Sequence, residues 1–129
     1  MTRLLAAGLA VLTLAACGGS SAPAAGASPS PCAPASPGLR VASLRGTGTA
    51  TTTNTTTCGR WAADLDWTCS SATGYVETTL IRARGEQQPG PRGDGLAGMN
   101  IRHFDSGATF RFRVAADPGC AWSIDVIQD

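Results

Sequence analysis

The chain has no lysine: all ten of its basic residues are arginine. It has one histidine, His103, and one tyrosine, Tyr75, and aromatic residues make up only 5% of it. Its longest nearly unbroken apolar run, Leu4 to Ala16 with Thr13 within it, is 13 residues. A helix of that length rises roughly 20 Å, short of the ~30 Å of a bilayer core, so a spanning helix is excluded. No segment sustains a 3.6-residue period, which argues against a helical fold. Ten arginines against nine acidic residues give a formal net charge of only +1, and without Arg3 of the N-terminal run the two signs balance, so nucleic acid is not an expected partner. A zinc site needs several His or Cys ligands. With one histidine, and with cysteines better used as disulfides, no metal or other cofactor is expected.

What is present at the N-terminus is an address. Arg3 precedes the apolar run, the order of basic and hydrophobic regions of a signal peptide. The run ends on Leu14-Ala15-Ala16-Cys17, which resembles the lipobox of bacterial lipoproteins. That resemblance implies that the Cys17 thiol receives a diacylglyceryl group and that cleavage leaves Cys17 as the first residue. Two acyl chains give stable anchoring where one gives marginal binding. The count of five cysteines fits, because setting Cys17 aside leaves Cys32, Cys58, Cys69 and Cys120, enough for two disulfides in an oxidising compartment. Residues 1–16 are thus expected to be a lipoprotein signal peptide. Residues 17–38, rich in Ala, Ser, Pro and Gly, are expected to be the lipidated cysteine and a flexible tether. Residues 39–129 form the domain.

In the domain the pattern changes to strict alternation. "WAADLDWTC" puts Trp61, Ala63, Leu65, Trp67 and Cys69 on one face and Ala62, Asp64, Asp66 and Thr68 on the other. Period two over such a length reads as a half-buried strand. "ATFRFRVA" turns Phe110, Phe112 and Val114 inward, with Thr109, Arg111 and Arg113 outward. "CAWSIDVI" does the same with Cys120, Trp122, Ile124 and Val126. "DSG" and "DPG" mark turns. Leu39 to Leu44, the Thr-rich Thr47 to Thr57 (an edge or solvent-facing strand), Tyr75 to Ala83 and Met99 to Phe104 complete about seven strands. Glu86 to Gly98, "EQQPGPRGDGLAG", reads as a Pro/Gly loop outside any sheet. The fold expected is all-β, a small antiparallel β-sandwich with two disulfides.

Strand length constrains the cysteines. Cys58 and Cys69 flank an extended stretch of roughly 26 Å, while a disulfide needs Cα atoms within about 7 Å. Cys58–Cys69 is therefore excluded, and with it the complementary Cys32–Cys120. Cys69 and Cys120 both face inward beside a tryptophan, so they are paired across the core, leaving Cys32 with Cys58 to staple the tether to the domain. The pattern W-x-x-x-L-x-W-x-C, then F-x-F-x-V, then C-x-W-x-I, resembles small lipoproteins of actinobacterial type. These join a lipobox and a flexible tether to a disulfide-linked β-sandwich. The resemblance brings no activity with it.

Several residues invite a chemical reading. His103 with Asp105 or Asp125 could belong to a small secreted hydrolase, but no G-x-S-x-G accompanies it. Asp64 and Asp66 could bind Ca²⁺ or act as an acid–base pair. Arg111 and Arg113 have matching spacing, and cross-strand ion pairs are expected instead. Arg92-Gly93-Asp94 resembles an adhesion tripeptide on an exposed loop, although "PRGDG" is also a good turn. Asn54-Thr55-Thr56 matches a glycosylation acceptor. Trp61, Trp67 and Trp122 could form a sugar-stacking platform, but alternation assigns them to the core. Phe104 and Tyr75 are then the aromatic candidates for the surface. Together these features predict no catalytic residues and a monomeric, non-enzymatic envelope lipoprotein with a binding or structural role. Its expected partners are the membrane, through lipid on Cys17, and an unidentified cell-wall or protein ligand. The alternative is a carbohydrate- or wall-binding module.

Overall fold

The structure is a computed structural model that describes residues 37–129. The predicted signal peptide, Cys17, Cys32 and nearly all of the tether lie outside the described residues. The described chain is all-β, with two antiparallel sheets enclosing one core. It has nine strands rather than about seven: β1 (Leu39–Thr47), β2 (Ala50–Thr51), β3 (Thr55–Thr56), β4 (Trp61–Cys69), β5 (Tyr75–Arg82), β6 (Gln87–Asp94), β7 (Ala97–Phe104), β8 (Thr109–Ala116) and β9 (Cys120–Gln128). The first sheet runs β1-β9-β4-β7 and the second β2-β8-β5-β6, with β3 also on β8.

The alternating strands fall where their pattern requires. Trp61, Ala63, Leu65, Trp67 and Cys69 of β4 join Cys120, Trp122, Ile124 and Val126 of β9 in the core. Phe110, Phe112 and Val114 of β8 meet them from the opposite sheet, with Val76 and Leu80 of β5. Trp61 is stacked between Phe104 and Phe110, with ring centroids 4.2 and 4.4 Å away, and its indole N–H donates to the Ser106 carbonyl. Phe104 is therefore core (4% exposed), not a surface aromatic.

Two segments differ from expectation for local reasons. The Thr-rich run does form an edge, but as two short strands. Between them the Thr52 hydroxyl accepts the Phe112 N–H at 2.9 Å, and Thr49 similarly accepts the Ala116 N–H. Side-chain oxygens thus replace part of the ladder that a continuous backbone would supply. The Pro/Gly segment is also a strand. β6 pairs with β5 along the rim of the second sheet, with a register irregularity between Glu77 and Thr79. Proline lacks a ladder donor but is tolerated on an edge strand, and Pro89 and Pro91 occupy one here.

Cys69 and Cys120 are disulfide-bonded, with Cα atoms 4.0 Å apart. They are direct register partners on neighbouring strands of the same sheet. The bridge therefore ties β4 to β9 within one sheet, instead of crossing the core between sheets. Gly74 makes room for it, since a Cβ there would lie 2.6 Å from Cys69 Cβ. Cys58 is disulfide-bonded as well, and its expected partner Cys32 lies outside the described residues.

Candidate functional site

The side of the sandwich bounded by β6 and β7 carries a groove. These strands are consecutive in sequence yet lie in different sheets, so the turn around Gly95 (φ 90°) carries the chain across. Between the two rims is a polar groove of about 420 Å³, lined by Glu77, Thr78, Pro89 to Arg92 and Asn100 to Arg102. It shares Glu77, Arg92 and Asn100 with a neighbouring hollow of about 440 Å³ that Tyr75 and Asp94 also line. Asn100 donates to the Arg92 carbonyl at 2.6 Å and fastens β7 to β6. Thr78 donates to the Pro91 carbonyl at 2.6 Å and fixes the groove floor. Glu77 and Arg92 are register partners. Even so, the arginine–carboxylate ion pair among the described residues is Arg40–Asp125 (3.1 Å), and His103 contacts Asp129 at 3.4 Å. The groove and the adjoining hollow therefore present two guanidiniums outside any ion pair, Arg92 and Arg102, two carboxylates, Glu77 and Asp94, the Asn100 amide and the exposed Tyr75 side chain. Such groups suit hydrogen bonding and charge pairing with a ligand. Sequence reasoning missed the groove because β6 read as a loop. The available signal was Pro89 and Pro91 at alternate positions, a spacing that an edge strand accommodates.

The other candidates disperse. Asp64 and Asp66 are on β4 and Arg111 and Arg113 on β8, in different sheets, so the expected cross-strand ion pairs do not form. Arg113 instead donates to Gln87. Asp64 stands opposite Asp125 in register, and one of its carboxylate oxygens is buried without a hydrogen-bond partner. Desolvation raises its pKa, Asp66 and Asp125 add to the rise, and Arg40 opposes it. Among the described residues no group of three or more His, Cys, Asp or Glu side chains is arranged to hold a metal ion. His103 is exposed and meets Asp129 rather than Asp105 or Asp125. The Arg-Gly-Asp tripeptide is not on a loop: all three residues lie in β6, paired with Glu77, Val76 and Tyr75. A Cβ at Gly93 would collide with the Trp67 ring, so this glycine serves packing. The three tryptophans are buried, at 0, 9 and 4% exposed, and form no exposed platform. Asn54 is exposed between β2 and β3. No known family model matches the chain, and no curated protein matches it either.

Proposed function

We propose that this protein is a cell-envelope lipoprotein, held on the outer face of the membrane by lipid on Cys17, whose β-sandwich binds a ligand rather than catalysing a reaction. The observation that carries the reading is how the cysteines are used. Cys69 and Cys120 are bonded to each other and Cys58 is bonded too, a state that suits an oxidising compartment. With Cys32 assigned to Cys58, the cysteine left over is the one in Leu14-Ala15-Ala16-Cys17. The residues that follow it, up to β1 at Leu39, are long enough to hold the domain away from a bilayer surface. The groove between β6 and β7 supports binding, since its charged and amide groups sit on two strand rims tied together through Asn100.

The test is fractionation of cells producing the full chain or its Cys17→Ser variant. The wild type is expected in membranes and labelled by radioactive palmitate, and the variant unlabelled and released. A variant that still sediments with membranes would remove the anchoring from this reading.

A further inference from the structure

The groove and the hollow beside it share Glu77, Arg92 and Asn100. Glu77 and Arg92 are opposite in sign and line both, so their charges offset each other. What differs is the group at each far end. Arg102 lines the groove and not the hollow, whereas Asp94, with Tyr75, lines the hollow and not the groove. The register explains both positions. Arg102 stands opposite the fully buried Ala63 of β4, so it belongs to the inner row of β7. On an edge strand, an inner-row side chain as long as arginine emerges along the opening between the sheets. Asp94 stands opposite Tyr75 at the last position of β6, next to the turn. The Asn100 bond to the Arg92 carbonyl fixes how the two rims face each other. The chain reverses at Gly95, so Arg102, two residues past Asn100, and Asp94, two residues past Arg92, lie in opposite directions from that bond. Four residue steps in all separate them, roughly 13 Å. Neither is in an ion pair among the described residues.

We propose that this trough takes a short extended peptide, held by its terminal ammonium at the Asp94 end and by its terminal carboxylate at the Arg102 end. The proposal rests on the reading of the groove as a binding site and does not depend on lipid at Cys17. An extended chain rises ~3.3 Å per residue, so three or four residues carry their two charged ends roughly 10–13 Å apart, matching the separation of Asp94 and Arg102. The two spaces, about 420 and 440 Å³, each fall within the range of roughly 300–1,000 Å³ that small ligands occupy. Arginine suits a carboxylate because its planar fork bonds both oxygens. The Tyr75 ring is 45% exposed and stands beside Asp94, where an ammonium gains from an aromatic face as well as from a carboxylate. In the middle, Asn100 uses one N–H on the Arg92 carbonyl, which leaves its amide oxygen to accept a peptide N–H. A neutral glycan would leave both end charges without a partner, and a polyanion would meet Asp94 and Glu77. A ligand carrying one charge of each sign satisfies both ends.

The test titrates tetra-alanine into the isotope-labelled full chain in detergent, followed by NMR, so it reads the same whether or not Cys17 is acylated. Amide shifts are expected at Gly93, Asp94 and Asn100 to Arg102, and not at Ser43 on the opposite edge of the first sheet. N-acetylation or C-terminal amidation of the peptide should each weaken binding roughly tenfold or more, since each removes a charge-assisted contact. The variants assign the ends. Arg102→Gln should bind the acid and the amide equally while still preferring the free amine, and Asp94→Asn should do the reverse. Both positions are exposed, and far-UV circular dichroism should show both variants folded like the wild type. Absence of tetra-alanine binding overturns the proposal, as does binding that ignores the peptide's termini or both substitutions. An acidic oligosaccharide, oligogalacturonate, is titrated in parallel. If it shifts the same amides and tetra-alanine does not, the peptide is overturned and the groove stands as a binding site. If neither binds, the reading of the groove falls as well.

Discussion

Gly98→Ala changes one hydrogen to a methyl group on an exposed edge strand, a substitution that elsewhere is neutral or stabilising. Here it should destabilise. A Cβ at Gly98 would lie 2.5 Å from Cζ2 and 2.7 Å from Cη2 of Trp67, closer than real carbon contacts allow. The backbone at Gly98 is not left-handed, so contact and not conformation is at issue. The ring has little room to retreat, because Gly93 of β6 closes on the same Cζ2 and Cη2, and on Cζ3 as well. Overpacking of this kind costs about 1–3 kcal/mol. In a domain of this size each kcal/mol lowers the melting temperature by roughly 4–8 °C. The decisive comparison is a double-mutant cycle. Trp67→Ala alone should cost about 3–5 kcal/mol as a buried aromatic truncation. In that background the ring is gone, so Gly98→Ala should cost nothing further. Urea unfolding followed by far-UV circular dichroism reads all four proteins without relying on tryptophan fluorescence. If Gly98→Ala were neutral, or cost the same with and without Trp67, the idea that these glycines exist to admit the indole would be refuted.

Further outcomes follow from the same structure. Cys69→Ala with Cys120→Ala reopens a loop of 51 residues, for which loop entropy predicts a loss of about 4 kcal/mol, measurable by denaturant titration; a loss well under 1 kcal/mol would show that the β4–β9 ladder already supplies the constraint. Asp64 has a folded-state pKa raised above the ordinary 3.8, so the folded state holds this proton more tightly than the unfolded chain does. Its contribution therefore favours folding below 3.8, is lost as pH rises through the raised value, and stays unfavourable above it. Asp64→Asn should accordingly melt at a higher temperature than wild type near neutral pH, with the advantage vanishing at about pH 3. A variant equally stabilised at both pH values would mean that relief of charge is not the cause.

The extent to which sequence sufficed can be judged from particular strands. β4, β8 and β9 were legible residue by residue, because burying one face of a sheet imposes period two on the apolar side chains. The same periodicity assigned the three tryptophans to the core and made Cys69 and Cys120 partners. It said nothing about which strands are neighbours. Only the tertiary structure decided that Cys69 faces Cys120 within one sheet, that Asp64 stands beside Asp125 rather than Arg113, and that Phe104 stacks on Trp61. Strand order arises from contacts between residues distant in sequence, to which local pattern is blind. β6 was hidden for a related reason. Its prolines and glycines are poor strand formers by propensity, and they are tolerated because the strand lies on a rim and Trp67 needs the space above Gly93. The groove is likewise a property of position in the sheets. Local sequence determined which residues are strands and which faces are apolar; the arrangement of the sheets decided which edges and hollows are left for a partner.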